Sequence, residues 1–311
     1  MSILQVRHVT SYAYAHPVRF GEHRLLFRPR DSHEQRLLSE ALQVSPEPAG
    51  TRWLHDVFGN CITVLYFDQA ASELRFETLL VLDHSSRMVP PFATEERAKL
   101  WPFDYDADML PDLAPYMRVH NPSPELDAWA RKFTRAGRDT ETGHLLMTMT
   151  MGVRESFVYS RRTDPGTQAP ERTLSTRQGT CRDFAWLMIE ACRSLGLAAR
   201  FVTGYIYVPS RDGSDLRGGG ATHAWVQVFL PGAGWVEFDP TNGIVGSTDL
   251  IRVGVAREPS QAKPLSGSFV GDRGDYLGMT VQVNVTTVTA SRPVAERSRH
   301  GKHDTATARQ A

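Results

Sequence analysis

The sequence predicts β-structure in its first 90 residues and mixed helix and strand after them. Three observations carry this. Several short strand patterns follow one another at spacings of about ten residues before residue 90. One strong amphipathic helix pattern occupies residues 180–196. A β-hairpin pattern occupies residues 223–243.

Residues 3–14 (ILQVRHVTSYAY) alternate apolar and polar positions, as a half-buried strand does, and His16-Pro17 is expected to end it. Leu25-Leu26-Phe27 is broken by Arg28-Pro29-Arg30. A run at 37–44 is closed by Pro46, Pro48 and Gly50. Phe58-Gly59-Asn60 is turn chemistry between Trp53 and the run at 61–67, and 74–82 reads as a further strand. Strands at this spacing point to a sandwich or barrel-like β domain over residues 1–90. Residues 91–122 read as a proline-rich linker or lid, with prolines at 90, 91, 102, 111, 115, 122 and 124 in and around it. Ser123-Pro124-Glu125 opens a helix at about 125–136, with proline in the first turn, where its missing N–H costs nothing. Residues 143–157 read as another helix. A second domain is expected over 123–290, C-terminal extension included. The tail 291–311 has one valine and no other large apolar residue, and is expected to be disordered.

Composition excludes several function classes. The chain has 311 residues, 41% hydrophobic and 23% charged, the balance of a soluble globular protein. Its 35 basic and 35 acidic residues cancel, which argues against nucleic-acid binding and against anchoring to an anionic membrane. No apolar run approaches the roughly 18 residues of a membrane span. The segment MSILQVRHVT lacks the charged and apolar regions of a signal peptide, so a cytoplasmic location is expected. Three cysteines exclude a disulfide scaffold. Each thiol is then core filler, metal ligand or nucleophile.

Helix phase begins to separate them. Thr180 is a candidate N-cap with Asp183 three positions on, a capping-box pattern. Phe184, Leu187, Met188, Ala191, Cys192 and Leu195 form an apolar stripe, and Gly196 ends the helix. Cys181 is therefore the first helical residue. A helix N-terminus carries partial positive charge and unpaired N–H groups, which favour a thiolate and can hold an oxyanion. Gly179 would allow a substrate backbone to approach closely. By position alone Cys181 is either a nucleophile or a small core residue. Cys192, three turns on along the same stripe, reads as core, and so does Cys61 within a strand pattern. Neither spacing is a CxxC, so zinc is not expected.

A nucleophile needs a base. After the loop at 210–222, the chain reads HAWVQVFLPGAGWVEFDPTNG: strand 224–230, turn residues 231–234, strand 235–238. His223 and Asp239 stand at the open end of this hairpin. Register decides whether they meet, because a one-residue slip reverses faces. With a four-residue loop, paired numbers sum to 465 and the two side chains point to opposite faces. With a three-residue loop they sum to 464, and His223 becomes the same-face diagonal neighbour of Asp239. In a Cys-His-Asp arrangement the thiolate attacks an amide carbonyl, the imidazole protonates the leaving amine, and the carboxylate orients the imidazole. His223 alone could be a loop histidine and Asp239 alone a turn residue. Trp225 and Trp235 read as hairpin core.

TCRDFA, GLAARFVTGYI and THAWVQVFLPGAGWVEFDPTNG occur in this order and resemble the transglutaminase-like superfamily of papain-type cysteine enzymes. Tyr12-Ala13-Tyr14, Pro17-Val18, Arg28-Pro29-Arg30, Gln35 and Asp56 with Phe58-Gly59-Asn60 resemble the β domain that precedes the core in bacterial members, a group usually assigned as cysteine proteases. The segment 251–257 with Glu258 resembles their C-terminal extension, where an Arg-Asp pair is more usual. The resemblance implies Cys181 as nucleophile, His223 as base and Asp239 as its orienting acid. It implies an α+β fold, with an N-terminal antiparallel β domain followed by a papain-like core whose Cys helix packs on an antiparallel sheet. Tyr159 and Gln178 are candidates to complete the oxyanion hole. No calcium loop, cofactor or metal is expected. The expected function is thiol-dependent attack on an amide or peptide bond through an acyl-enzyme, with hydrolysis favoured over acyl transfer to an amine. The expected partner is a peptide or protein amide. The alternative is a non-catalytic peptide-binding or scaffold protein that keeps the fold.

Overall fold

Strand β1 (Ser2–Phe20) runs on through Pro17, where the sequence predicts a break. Its ladder to β6 lapses between Ala13 and Val18, so Pro17 sits where no backbone donor is required. The computed structural model describes residues 2–85, 93–160, 166–207 and 220–288. The prolines at 90 and 91, most of the loop at 210–222 and the tail from 291 lie outside the described residues.

Five more strands follow before residue 90: β2 (His23–Leu25), β3 (Gln35–Ser45), β4 (Gly50–His55), β5 (Cys61–Tyr66) and β6 (Ala70–His84). Next come β7 (Leu100–Trp101), α1 (Leu110–Met117), α2 (Pro124–Arg131), β8 (Thr140–Glu141), α3 (Thr142–Ser156), β9 (Val158–Tyr159), α4 (Pro170–Thr176), β10 (Gln178–Gly179) and α5 (Cys181–Ser194). The strands β11 (Ala199–Ile206), β12 (His223–Leu230), β13 (Gly234–Asp239), β14 (Ile244–Val245) and β15 (Leu250–Ala256) then build the second half. The chain closes with β16 (Leu265–Ser266), β17 (Phe269–Val270) and β18 (Tyr276–Thr287).

The architecture is α+β, with the N-terminal antiparallel sheets the sequence predicts. One sheet has the order β17-β1-β6-β3, with β18 also on β1; the other has the order β16-β2-β5-β4. Tyr14, Phe20, Phe27, Leu65 and Phe76 fill the space between them. The sequence assigns 123–290 to one unit, yet the ladders carry 265–287 back into these first sheets. Such a return has no local signature, because strand pairing across 240 residues or more leaves no periodicity behind.

The third sheet has the order β14-β13-β12-β11-β15 and is antiparallel throughout. Helix α5 packs on β11 and β12, with α2, α3 and α4 against it. Leu4, Val6, Leu80 and Leu82 of the first sheet share one apolar cluster with Phe184 and Leu187 of α5, so the two halves have a continuous core. Asp183, Glu190 and Arg193 are also buried in this helix. Such a helix is central rather than half-exposed, although its apolar stripe alone suggests a surface helix. The buried charges are compensated. Arg193 Nη1 donates to Glu190 Oε1 at 2.9 Å, and Glu190 Oε2 accepts from the backbone N–H groups of His120 and Asn121 at 2.7 and 2.6 Å.

That contact also changes the reading of the proline-rich stretch. Its described part is a strap over the core. Tyr105 is buried; its hydroxyl donates to Phe229 O at 2.9 Å and accepts from Ala198 N at 2.9 Å. Trp101 Nε1 donates to Leu195 O at 2.8 Å. Proline density marks irregular backbone, and whether that backbone is tied down depends on distant partners.

Strand β15 is the edge of the third sheet, and two side-chain amides cap it. Asn60 Nδ2 donates to Val255 O at 2.7 Å, and Asn60 Oδ1 accepts from Val255 N at 2.9 Å. Gln35 does the same at Arg252, at 2.7 and 3.1 Å. Each amide supplies the donor and acceptor that a neighbouring strand would supply. Asp56 holds Asn60 by accepting from its Nδ2 at 2.8 Å. Asn60→Ala is expected to lower stability by about 1–3 kcal/mol, because it leaves Val255 N–H and C=O buried without partners. Urea unfolding measures the change.

Candidate active site

Cys181 occupies the first turn of α5, where the sequence places it. Thr180 precedes the helix in an extended conformation, and its backbone N–H donates to Asp183 Oδ2 at 2.8 Å. Asp183 Oδ1 accepts from Gln168 N at 2.8 Å, and Gln168 Nε2 donates to Gln178 O at 2.6 Å. One buried carboxylate thus ties the helix start to the chain that flanks it. The sequence offers no sign of Gln168, whose partners lie five, ten and fifteen residues on. Gly179 has a different cause from the one expected. A Cβ there would lie 2.9 Å from Asp183 Cβ and 3.1 Å from Phe184 Cε1. The helix start fills that space, so packing demands the glycine.

The hairpin has the three-residue loop. Val226 pairs Phe238 and Leu230 pairs Gly234, so paired numbers sum to 464. Gly232 and Gly234 have φ of +85° and +73°, which glycine adopts without strain. His223 and Asp239 therefore share a face, and His223 Nε2 lies 2.8 Å from Asp239 Oδ2. Both side chains are fully buried. Asp239 has further donors: Thr241 N on Oδ1 at 2.9 Å and Asn242 Nδ2 on Oδ2 at 2.8 Å. The sequence reading missed Asn242. Its place three residues after Asp239 in DPTNG is the signal that could have found it.

Electrostatics make this a charged pair. Burial pushes the His223 imidazole down, but the Asp239 carboxylate and the Cys181 thiol together outweigh burial, and the ring rises from 6.5 to about 10. Burial pushes Asp239 up, but the His223 charge and the hydrogen bonds from His223, Asn242 and Thr241 together outweigh it and hold the carboxyl below its usual range. The other ring nitrogen of His223, Nδ1, is buried, and the Cys181 thiol lies close enough to help hold the proton on the ring. The structure thus brings Cys181, His223 and Asp239 together in chain order.

Tyr159 and Gln178 lie on the short parallel pair β9–β10, one strand position apart, directly ahead of Cys181. Tyr159 packs edge-on against Phe184 with ring centroids 6.5 Å apart. The other cysteines lie apart from the site. Cys192 has zero exposure, and burial pushes its thiol up to about 12. Cys61 is half-buried on β5 in the N-terminal sandwich. No helix of the described residues is long and apolar enough to cross a membrane.

Comparison with known proteins finds relatives for both halves of the fold. The family model of the bacterial transglutaminase-like N-terminal region matches residues 4–83, and that of the transglutaminase-like superfamily matches residues 127–240. An uncharacterised protein of Mycobacterium tuberculosis is 26% identical over 287 residues, covering 90% of this chain and 91% of that protein. A protein-glutamine gamma-glutamyltransferase of Pseudomonas aeruginosa is 33% identical over 98 residues, 28% of this chain and 14% of that protein. A solved structure from Cytophaga hutchinsonii, provisionally assigned as a cysteine protease, superposes with a TM-score of 0.68 at 18% identity, covering 93% of this chain and 91% of that one. Its likeness is one of fold. The two family matches cover both halves of the fold in order, and on them the chain belongs to the transglutaminase-like superfamily, in the form that carries the bacterial N-terminal region.

Proposed function

We propose that this protein is a cysteine enzyme that attacks amide bonds of a peptide or protein through Cys181, His223 and Asp239. The observation that carries the reading is the buried His223–Asp239 pair beside a cysteine at a helix N-terminus. The positive imidazolium and the helix end both favour negative charge on sulfur. The thiolate attacks the carbonyl carbon, and the oxygen takes the charge. N–H groups at the start of α5, with Tyr159 or Gln178, are the proposed donors to that oxygen. His223 then passes its proton to the leaving amine as the C–N bond breaks, which leaves a thioester. Asp239 keeps the ring oriented and compensates its charge.

Water or an amine can resolve the thioester. We favour water, because the bacterial group whose N-terminal region and core this chain shares is usually assigned as cysteine proteases. The 98-residue stretch shared with the gamma-glutamyltransferase supports acyl transfer instead. A peptide library incubated with and without an added primary amine separates the two by product mass. Cleaved or deamidated peptides support hydrolysis, and peptides carrying the amine support transfer. Cys181→Ala is expected to abolish both. Turnover that survives Cys181→Ala refutes the mechanism, and a wild type without turnover or a trapped thioester favours a non-catalytic binding protein.

A further inference from the structure

The face of the hairpin that carries His223 and Asp239 also carries a carboxylate the proposed mechanism does not use. Glu237 lies two residues before Asp239 on β13, and its side chain is 6% exposed. It accepts from three donors: Trp225 Nε1, Gln227 Nε2 at 2.8 Å and Arg252 Nη1 at 2.7 Å. Two of these come from β12 and the third from β15. Trp225 is fully buried and stacks against His223, with ring planes 27° apart and centroids separated by 5.9 Å. Arg252 is the residue whose backbone Gln35 clamps from the N-terminal sandwich.

A buried carboxylate is an expensive way to fill a strand position. Apolar side chains of similar volume commonly do as well or better for stability. The carboxylate is instead suited to direction, because it accepts along defined axes and so fixes the indole plane. We propose that Glu237 is a positioning residue for His223, acting through Trp225. It pins the indole, and the indole sets the plane in which the imidazole faces Cys181. Arg252 and Gln35 extend the same set of contacts to the N-terminal sandwich, which gives that region a part in holding the site. The inference rests on the role proposed above for His223.

Alkylation of Cys181 by iodoacetamide, followed by mass spectrometry across pH, tests it without a known substrate. Trp225→Phe keeps a ring against His223 and removes the donor to Glu237; Glu237→Gln removes the charge. Each variant is expected to slow Cys181 alkylation about fivefold near pH ~6, by moving the acid limb of the profile upward. Profiles identical to that of a fast-reacting wild type overturn the inference and leave the His223 assignment standing. Slowing by the same factor at every pH marks a purely structural role and also overturns it. A wild-type Cys181 alkylated no faster than Cys61 refutes the His223 assignment itself, and the inference with it. Melting temperatures identify any variant that fails to fold; where Glu237→Gln does so, Trp225→Phe decides alone.

Discussion

Replacing His223 with alanine is expected to lower the rate of thioester formation by about 10²–10⁴-fold, the usual range for losing a positioned acid–base group. Two functions disappear together. The thiol loses the ring that shares its pocket, and the leaving amine loses its proton donor. Alkylation of Cys181 at mildly acidic pH should fall to the level of Cys61, while Cys192 stays inert in both proteins because burial pushes its thiol up to about 12. Single-turnover kinetics on a peptide from the library measures the first effect. A variant within threefold of wild type in both assays contradicts the assignment of His223 as base.

Asp239→Asn is expected to cost about 3–5 kcal/mol of stability, the usual loss when one partner of a buried ion pair is removed. The loss depends on pH in a defined direction. His223 rises from 6.5 to about 10 on folding, so its contribution is complete below 6.5 and fades as pH climbs through about 10. Asp239 is lowered from 3.8, so its contribution is present above that value and is lost as pH falls below it. The gap between wild type and variant should therefore be widest between these limits and narrow towards both acid and alkali. Urea melts at a series of pH values give the curve. A gap constant across pH would show that the pair is not charged in the folded state.

Much of the site is legible in the sequence because its parts are local. The position of Cys181 follows from helix phase and a cap three residues away, and a helix start is decided within one turn. The meeting of His223 with Asp239 depends on a single integer, the length of the loop at 231–233. The sequence narrows it to two values, and the glycines at 232 and 234 let the chain take the shorter loop. Asn242 lay within reach of the same reasoning. Gln168, Glu237 and Arg252 did not. Their partners are strands or helices apart, and nothing in the run WVEFDPTNG separates a buried glutamate from a solvated one.

The sequence by itself determined which residues are the candidates for the chemistry, where the main helices and strands begin, and that the first 90 residues are β-structure. Each follows from periodicities and caps a few residues long, whose energetics act before any distant segment arrives. Only the tertiary structure decided that α5 is buried on all sides with Glu190 and Arg193 inside it. It also decided that residues 265–287 return to the first sheets. The capping of edge strand β15 by Gln35 and Asn60 belongs to the same class. These are pairings between segments about 200 residues apart or more, or burial of charge. They are selected by which backbone groups and ions would otherwise lose water without a partner, a condition that exists only once the chain has closed around them.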